Sequence, residues 1–122
     1  MAKRTIPGFG ELETAIMEVV WAKHPICVRE VLRTLDRGSA YTTVMTVMQR
    51  LHEKGMLKRK LVDNAFQYEP AVAKEQFVQQ TVRKTVDDLV HGFGNVALAH
   101  FVDALDDVDP KRLEKLKRKL HA

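Results

Sequence analysis

Tyr41-Thr42-Thr43-Val44-Met45-Thr46-Val47-Met48-Gln49-Arg50-Leu51-His52-Glu53-Lys54-Gly55 is the stretch on which the fold turns. Val44, Val47, Met48 and Leu51 recur at i, i+3, i+4 and i+7, the spacing that gathers side chains on one face of an α-helix. The opposite face carries Thr42, Thr43, Thr46, Gln49, Arg50 and Glu53. Hydroxyls, a carboxamide and a guanidinium on one exposed stripe can hydrogen-bond base edges and phosphates, and a threonine methyl can pack against a thymine methyl. A helix that merely faced solvent would carry more Glu and Lys there.

Downstream, Gly55 suits a left-handed helix end, and Met56-Leu57-Lys58-Arg59-Lys60-Leu61-Val62 switches from helical to alternating periodicity. Asp63-Asn64-Ala65 reads as a tight connection, and Phe66-Gln67-Tyr68-Glu69 resumes the alternation until Pro70 ends it. The expectation is a hairpin with Leu57, Leu61, Phe66 and Tyr68 turned inwards and Lys58, Lys60 and Asn64 free to approach phosphates. Taken alone, the same pattern also describes an ordinary surface hairpin whose basic edge blunts aggregation.

Upstream, Glu11 to Lys23 places Leu12, Ala15, Ile16, Val19 and Val20 on one stripe with Trp21 beside it, and Pro25 stops the helix. Ile26-Cys27-Val28 is short and apolar enough to add an edge strand to the hairpin. Val28, Val31, Leu32 and Leu35 then mark a second amphipathic helix ending before Gly38. Two platform helices, a third with a polar outer face and a basic hairpin make a winged helix-turn-helix. The expected fold class is α+β, mostly helical, with a winged-helix DNA-binding domain over residues 1–70 and a helical dimerisation region over 71–122.

That second region shows stripes but no obvious core. Val78, Val82, Val86, Leu89 and Phe93 trace one helical row from about Ala73 to Phe93, widened by Phe77 and Val90. After Gly92 and Gly94, Asn95 is placed to cap a short helix containing Val96, Leu98, Ala99, Phe101, Val102 and Leu105. Asp109-Pro110 starts a last helix in the N-cap and N1 manner, with Leu113, Leu116 and Leu120 spaced for a partner groove and basic residues filling the gaps. Either these helices fold back on the reader or they interlock with a second copy; the homodimer is favoured, because pairing also duplicates the reading helix for a two-fold operator.

Charge and composition narrow the classes. The chain of 122 residues has a net charge of +4, with eleven Lys/Arg against eight Asp/Glu in residues 1–70 and nine against eight in 71–122. The positive excess gathers at Arg50, Lys54, Lys58, Arg59 and Lys60, opposed locally by Glu53. No long apolar run or signal-peptide core is visible, so a cytoplasmic protein without direct membrane association is expected. Cys27 is the sole cysteine, which excludes an internal disulfide and reads as a small buried hydrophobe. His24, His52, His91, His100 and His121 form no close ligand pair, and Asp87, Asp88, Asp103, Asp106 and Asp107 read as solvated residues, so neither a metal, a cofactor nor an enzyme is expected. The Lys3-Arg4 segment reads as a terminal arm.

Gly10-Glu11-Leu12-Glu13-Thr14-Ala15-Ile16-Met17-Glu18-Val19-Val20-Trp21, Val28-Arg29-Glu30-Val31, Ala40 to Leu51, Lys54-Gly55 and Tyr68-Glu69-Pro70 together resemble the bacterial penicillinase-repressor family of BlaI, MecI and CopY, and most of all the BlaI-type regulators of actinobacteria. The resemblance implies a dimeric winged-helix repressor on palindromic operators with TACA/TGTA-type half-sites, often upstream of β-lactamase and sensor genes, with induction through a membrane sensor pathway or a protease. It assigns the recognition-helix role to Tyr41, Thr42, Thr43, Thr46, Gln49 and Arg50, and dimerisation to the helices after Ala73. Two departures bound it. Where staphylococcal-type members are cleaved at an Asn-Phe bond, this chain has His100-Phe101, and it lacks the Cys-x-Cys pairs of copper-responsive members. Two other classes are a winged-helix protein-interaction module without sequence-specific DNA binding, and a hydrolase using the Asp and His residues.

Overall fold

A computed structural model describes residues 5–121; the Lys3-Arg4 arm and the side chains of Leu120 and His121 lie outside the described residues. In chain order the elements are α1 (Glu11–Ala22), α2 (Val28–Leu35), α3 (Tyr41–Glu53), β1 (Leu57–Val62), β2 (Ala65–Pro70), α4 (Lys74–Phe93), α5 (Asn95–Leu105) and α6 (Pro110–His121). The chain divides into two compact units between Gln79 and Gln80, inside α4.

Local chemistry explains the boundaries of the first unit. At the start of α1 the Gly10 N–H donates to Glu13 Oε1 at 3.3 Å, and the buried Thr14 hydroxyl donates to the Gly10 carbonyl at 2.9 Å while accepting from Ile6 N–H at 3.0 Å. At α2, Glu30 reaches back to Cys27, accepting from its N–H at 3.4 Å and its thiol at 3.2 Å. These hydrogen bonds, the thiol's first, hold the Glu30 carboxyl below its ordinary range. Gly55, at φ +82°, turns the chain out of α3 in the left-handed region that glycine tolerates. Asp63 and Asn64, at φ 50° and 66°, form the two-residue hairpin turn between the paired Val62 and Ala65.

The core consists of Ile16, Met17 and Val20 from α1, Ile26, Val28 and Val31 around α2, Val44, Met48 and Leu51 from α3, and Leu57 and Tyr68 from the wing. Of the stripe expected in α1, Ala15 and Val19 are only half-buried, whereas Met17 is fully enclosed. The expected edge strand shrinks to a single bridge. Ile26 and Tyr68 exchange both backbone hydrogen bonds, at 3.0 and 2.8 Å, but Pro25 precedes the bridge and α2 begins at Val28, leaving no length for more pairing.

The wing corrects a second expectation. Leu57 and Tyr68 do pack inwards, but Leu61 is 59% exposed and Phe66 40% exposed. Alternation puts them on the inward-facing side of the ribbon, yet Leu61 lies about 13 Å along the strand from Leu57 at ~3.3 Å per residue. The pair Leu61 and Phe66 therefore stands at the turn end of the ribbon, paired across the strands and open to solvent.

Phe77 also differs from the dimerisation role expected for it. Its ring meets Phe9 edge-on at 5.8 Å and Trp21 at 5.5 Å, within the first unit. Trp21 Nε1 donates to the Val72 carbonyl at 3.0 Å, and Lys74 pairs with Glu18 at 2.7 Å, so α1 anchors the chain as α4 begins.

In the second unit, Gly94 at φ 70° occupies the capping position of α5 and Asn95 is its first helical residue, which replaces the expected Asn95 cap. Asp109 caps α6 as expected, accepting from Lys111 N–H at 3.0 Å. Neither α4 nor α5 contains a buried residue, and Val82, Leu89, Phe93, Val96, Leu98, Phe101, Val102 and Leu116 are all exposed. Val86 and Leu113 are half-buried. Among the described residues no helix is long and apolar enough to cross a membrane.

Ile16→Ala, at a site with no solvent exposure, is expected to destabilise the first unit by about 2 to 5 kcal/mol, read from the urea midpoint of its unfolding. A shift below about 1 kcal/mol would contradict the placement of α1 in the core.

Candidate nucleic-acid interface

Burial of Val44, Met48 and Leu51 fixes the rotation of α3, and everything polar on that helix follows from it. Thr42, Thr43, Thr46, Gln49 and Arg50 are exposed, as is Glu53 near the helix end. Tyr41 and Met45 occupy the flank nearest the wing, each about two-fifths exposed, at 45% and 39%. Thr46 has a further constraint: its hydroxyl donates to the Thr42 carbonyl one turn back, at 2.8 Å. With that proton occupied, Thr46 offers a base edge its oxygen lone pairs and its methyl group.

A groove of about 460 Å³ runs between α3, the start of α2 and the wing, lined by Tyr41, Met45, Gln49, Asn64, Phe66, Arg29, Arg59 and Cys27 among others. It brings together three residues expected at the site, Tyr41, Gln49 and Asn64. Thr42, Thr43, Thr46 and Arg50 lie on the exposed face of α3 outside the groove lining. Lys58 and Lys60 sit on the other face of the ribbon, opposite Glu69 and Gln67. Both lysines are exposed.

Two cations counted in the local positive excess are engaged internally. Lys54 Nζ pairs with Glu13 Oε2 at 3.1 Å and lies 5.7 Å from the Phe9 ring centre, tying the end of α3 to α1. The Lys54 hydrogen bond is the main reason that the Glu13 carboxyl titrates below its usual range. Arg59 stacks its guanidinium 4.1 Å from the Phe66 ring centre and donates to the Tyr68 hydroxyl at 3.4 Å. The exposed cations left to this surface are thus Arg50, Lys58 and Lys60, with Arg29 at the groove edge.

Arg29, a functional candidate at the groove edge, and Arg59, which braces the wing, hold roles that the sequence did not single out. For Arg59 the signal was present: alternation puts a cation on the face shared by Leu57 and Leu61, beside aromatic partners. For Arg29 the first-turn position on α2 gave none, because α2 reads as platform alone. No group of three or more His, Cys, Asp or Glu side chains able to hold a metal ion gathers among the described residues.

The chain as a whole is similar to known proteins. The family model described as penicillinase repressor matches residues 9–122. The transcriptional regulator BlaI of Mycobacterium tuberculosis is 37% identical over 121 residues, spanning 92% of this chain and 84% of that protein. The penicillinase repressor of Bacillus licheniformis is 24% identical over 102 residues, 82% of this chain and 80% of its own length. The methicillin resistance regulatory protein MecI of Staphylococcus aureus is 22% identical over 111 residues, 89% of either chain. A solved transcriptional regulator of Thermotoga maritima superposes with a TM-score of 0.51 at 19% identity, covering 92% of this chain and 78% of that one, a likeness of fold.

Lys60→Ala is expected to weaken operator and scrambled duplexes alike and to flatten the log-log salt dependence by about 0.9, the increment for one neutralised phosphate. A weakening confined to one sequence would assign Lys60 to base reading instead.

Proposed function

The chain belongs to the penicillinase-repressor family, and we propose that it is a transcriptional repressor that blocks RNA polymerase by occupying a palindromic operator as a homodimer. The observation that carries this reading is the exposed Thr42, Thr46 and Gln49 face of α3, held beside a basic wing by a core that buries the helix's other side. A helix of this kind enters the major groove while its neighbours and the wing hold phosphates. Thr46 and Gln49 select bases; Arg50, Lys58 and Lys60 bind the backbone. The protein carries out no bond-making step in this scheme, and it acts where the genome is, in the cytoplasm.

Pairing through the second unit is supported by its lack of an interior. Large apolar side chains from Val82 to Leu116 are exposed there, and none of α4 or α5 is buried. Large exposed apolar surface of this sort marks an association site. A two-fold pair would present two α3 helices to two half-sites, which multiplies a small positive footprint. The domain limits proposed for these roles are residues 1–70 for reading and 71–122 for pairing, with Phe77 excepted. By kinship, the regulated genes are proposed to include β-lactamase-type resistance genes with TACA/TGTA-type half-sites, and induction to run through a membrane sensor pathway or a protease.

Selection of bound duplexes from a random library should enrich an inverted repeat. Gln49→Ala and Thr46→Ala should each erode preference for that repeat over scrambled DNA by about 1 to 3 kcal/mol. Equal weakening on both duplexes would refute base reading by α3 and favour the protein-interaction alternative. Leu116→Asp should yield monomers by light scattering with the first unit still folded; an unchanged mass contradicts the pairing.

A further inference from the structure

The second unit carries a charge pattern that pairing does not use. Across residues 71–122 the balance is nearly even, but α6 alone holds six Lys/Arg, from Lys111 to Lys119, against the single Glu114. Lys111, Lys115 and Arg118 follow i, i+4 and i+7, with Arg112 and Lys119 on the adjoining line, so five of the six share one arc of the helix. That arc points away from the row of Leu113 and Leu116. All six cations are exposed, and the ion pair found on this helix joins Arg118 to Glu114 at 3.6 Å, with both side chains open to solvent at 79% and 69%. Such a pair neutralises little.

Helix stability does not account for the arrangement. Lys117, Arg118 and Lys119 in the last turn suit the negative end of the helix dipole, but Lys111 and Arg112 stand in the first turn, where the dipole disfavours cations. The i, i+4 pairs Lys111 with Lys115 and Lys115 with Lys119 repel each other. A polyanion lying along the arc would relieve both penalties.

We infer that α6 is a second duplex-DNA contact, a cationic face that binds backbone phosphates without reading sequence while its leucines serve pairing. The inference rests on the repressor reading above, which supplies the polyanion. Phosphate contacts by Lys and Arg add sequence-independent affinity through counterion release. An anionic membrane surface is the competing partner for a basic amphipathic helix, but α6 offers three leucines and no aromatic residue to seat in lipid.

The full-length protein is titrated with a random-sequence duplex between about 50 and 200 mM salt. Lys111→Gln/Arg112→Gln/Lys115→Gln/Lys119→Gln is expected to flatten the log-log slope by about 2 or more, at ~0.9 per phosphate, and to lower low-salt affinity at least about tenfold. The ratio of inverted-repeat to random affinity should hold, and Lys111→Arg/Lys115→Arg/Lys119→Arg should keep the original slope. Should the Gln set lose helix content or dimer mass, Lys111→Gln/Lys119→Gln is read instead, with a proportionately smaller flattening. An unchanged slope overturns the inference, and so does an effect confined to binding of phosphatidylglycerol vesicles. Lys58→Gln/Lys60→Gln separates the two readings. If the wing variant flattens the slope and the α6 variants do not, only this inference fails; if neither does, the repressor reading fails with it.

Discussion

Burial of one face of α3 is the constraint from which the reader takes its form. Val44, Met48 and Leu51 are completely enclosed among Ile16, Val20, Val31, Leu57 and Tyr68. Burial of side chains of this size contributes about 1.5 to 3 kcal/mol each. Turning the helix by one residue would drive Thr43 and Arg50, or Gln49 and His52, into that space without partners, at a cost of several kcal/mol. The rotation is therefore locked, and the line of Thr42, Thr46 and Gln49 faces outward as a by-product of packing. Tyr68 extends the same constraint to the wing, since its side chain is part of the core while its backbone is bridged to Ile26.

Electrostatics then divides the cations between holding the fold and offering charge. Lys54 fastens α3 to α1 through Glu13, and Arg59 stiffens the ribbon by lying across Phe66 and Tyr68. These contacts are exposed or half-exposed and each is worth little alone. Their effect is local: one ties α3 to α1, and the other braces the two strands of the wing against each other. With so few free cations in one copy, useful affinity calls for more phosphate contacts from elsewhere, either a second subunit or another part of the same chain.

Much of this was legible in the sequence because helical and strand periodicities differ so sharply across Gly55. The rotation of α3 followed from Val44, Met48 and Leu51, and the turn from Asp63-Asn64, whose positive φ values fit the residue types. What escaped was reach. Alternation tells which side of a ribbon Leu61 and Phe66 occupy, but not how far along it burial extends. Met17 entered the core because the buried face of α1 is Thr14, Ile16, Met17 and Val20, turned from the expected stripe away from Leu12, Ala15 and Val19. Phe77 fits the apolar row of α4 and yet closes an aromatic cluster with Phe9 and Trp21, partners so distant along the chain that no local pattern contains them.

Among its described residues the second unit has stripes and no fully buried side chain, and mass action gives that lack a consequence. On the proposed pairing, a helical segment whose apolar rows are covered by a second copy acquires its order in proportion to how often copies meet. Scarce chains would then leave their tails unsheltered and open to proteases, while abundant chains would shelter one another. Copy number would set the lifetime of the protein as well as its occupancy of DNA, so a modest fall in synthesis would release its genes more steeply than dilution alone.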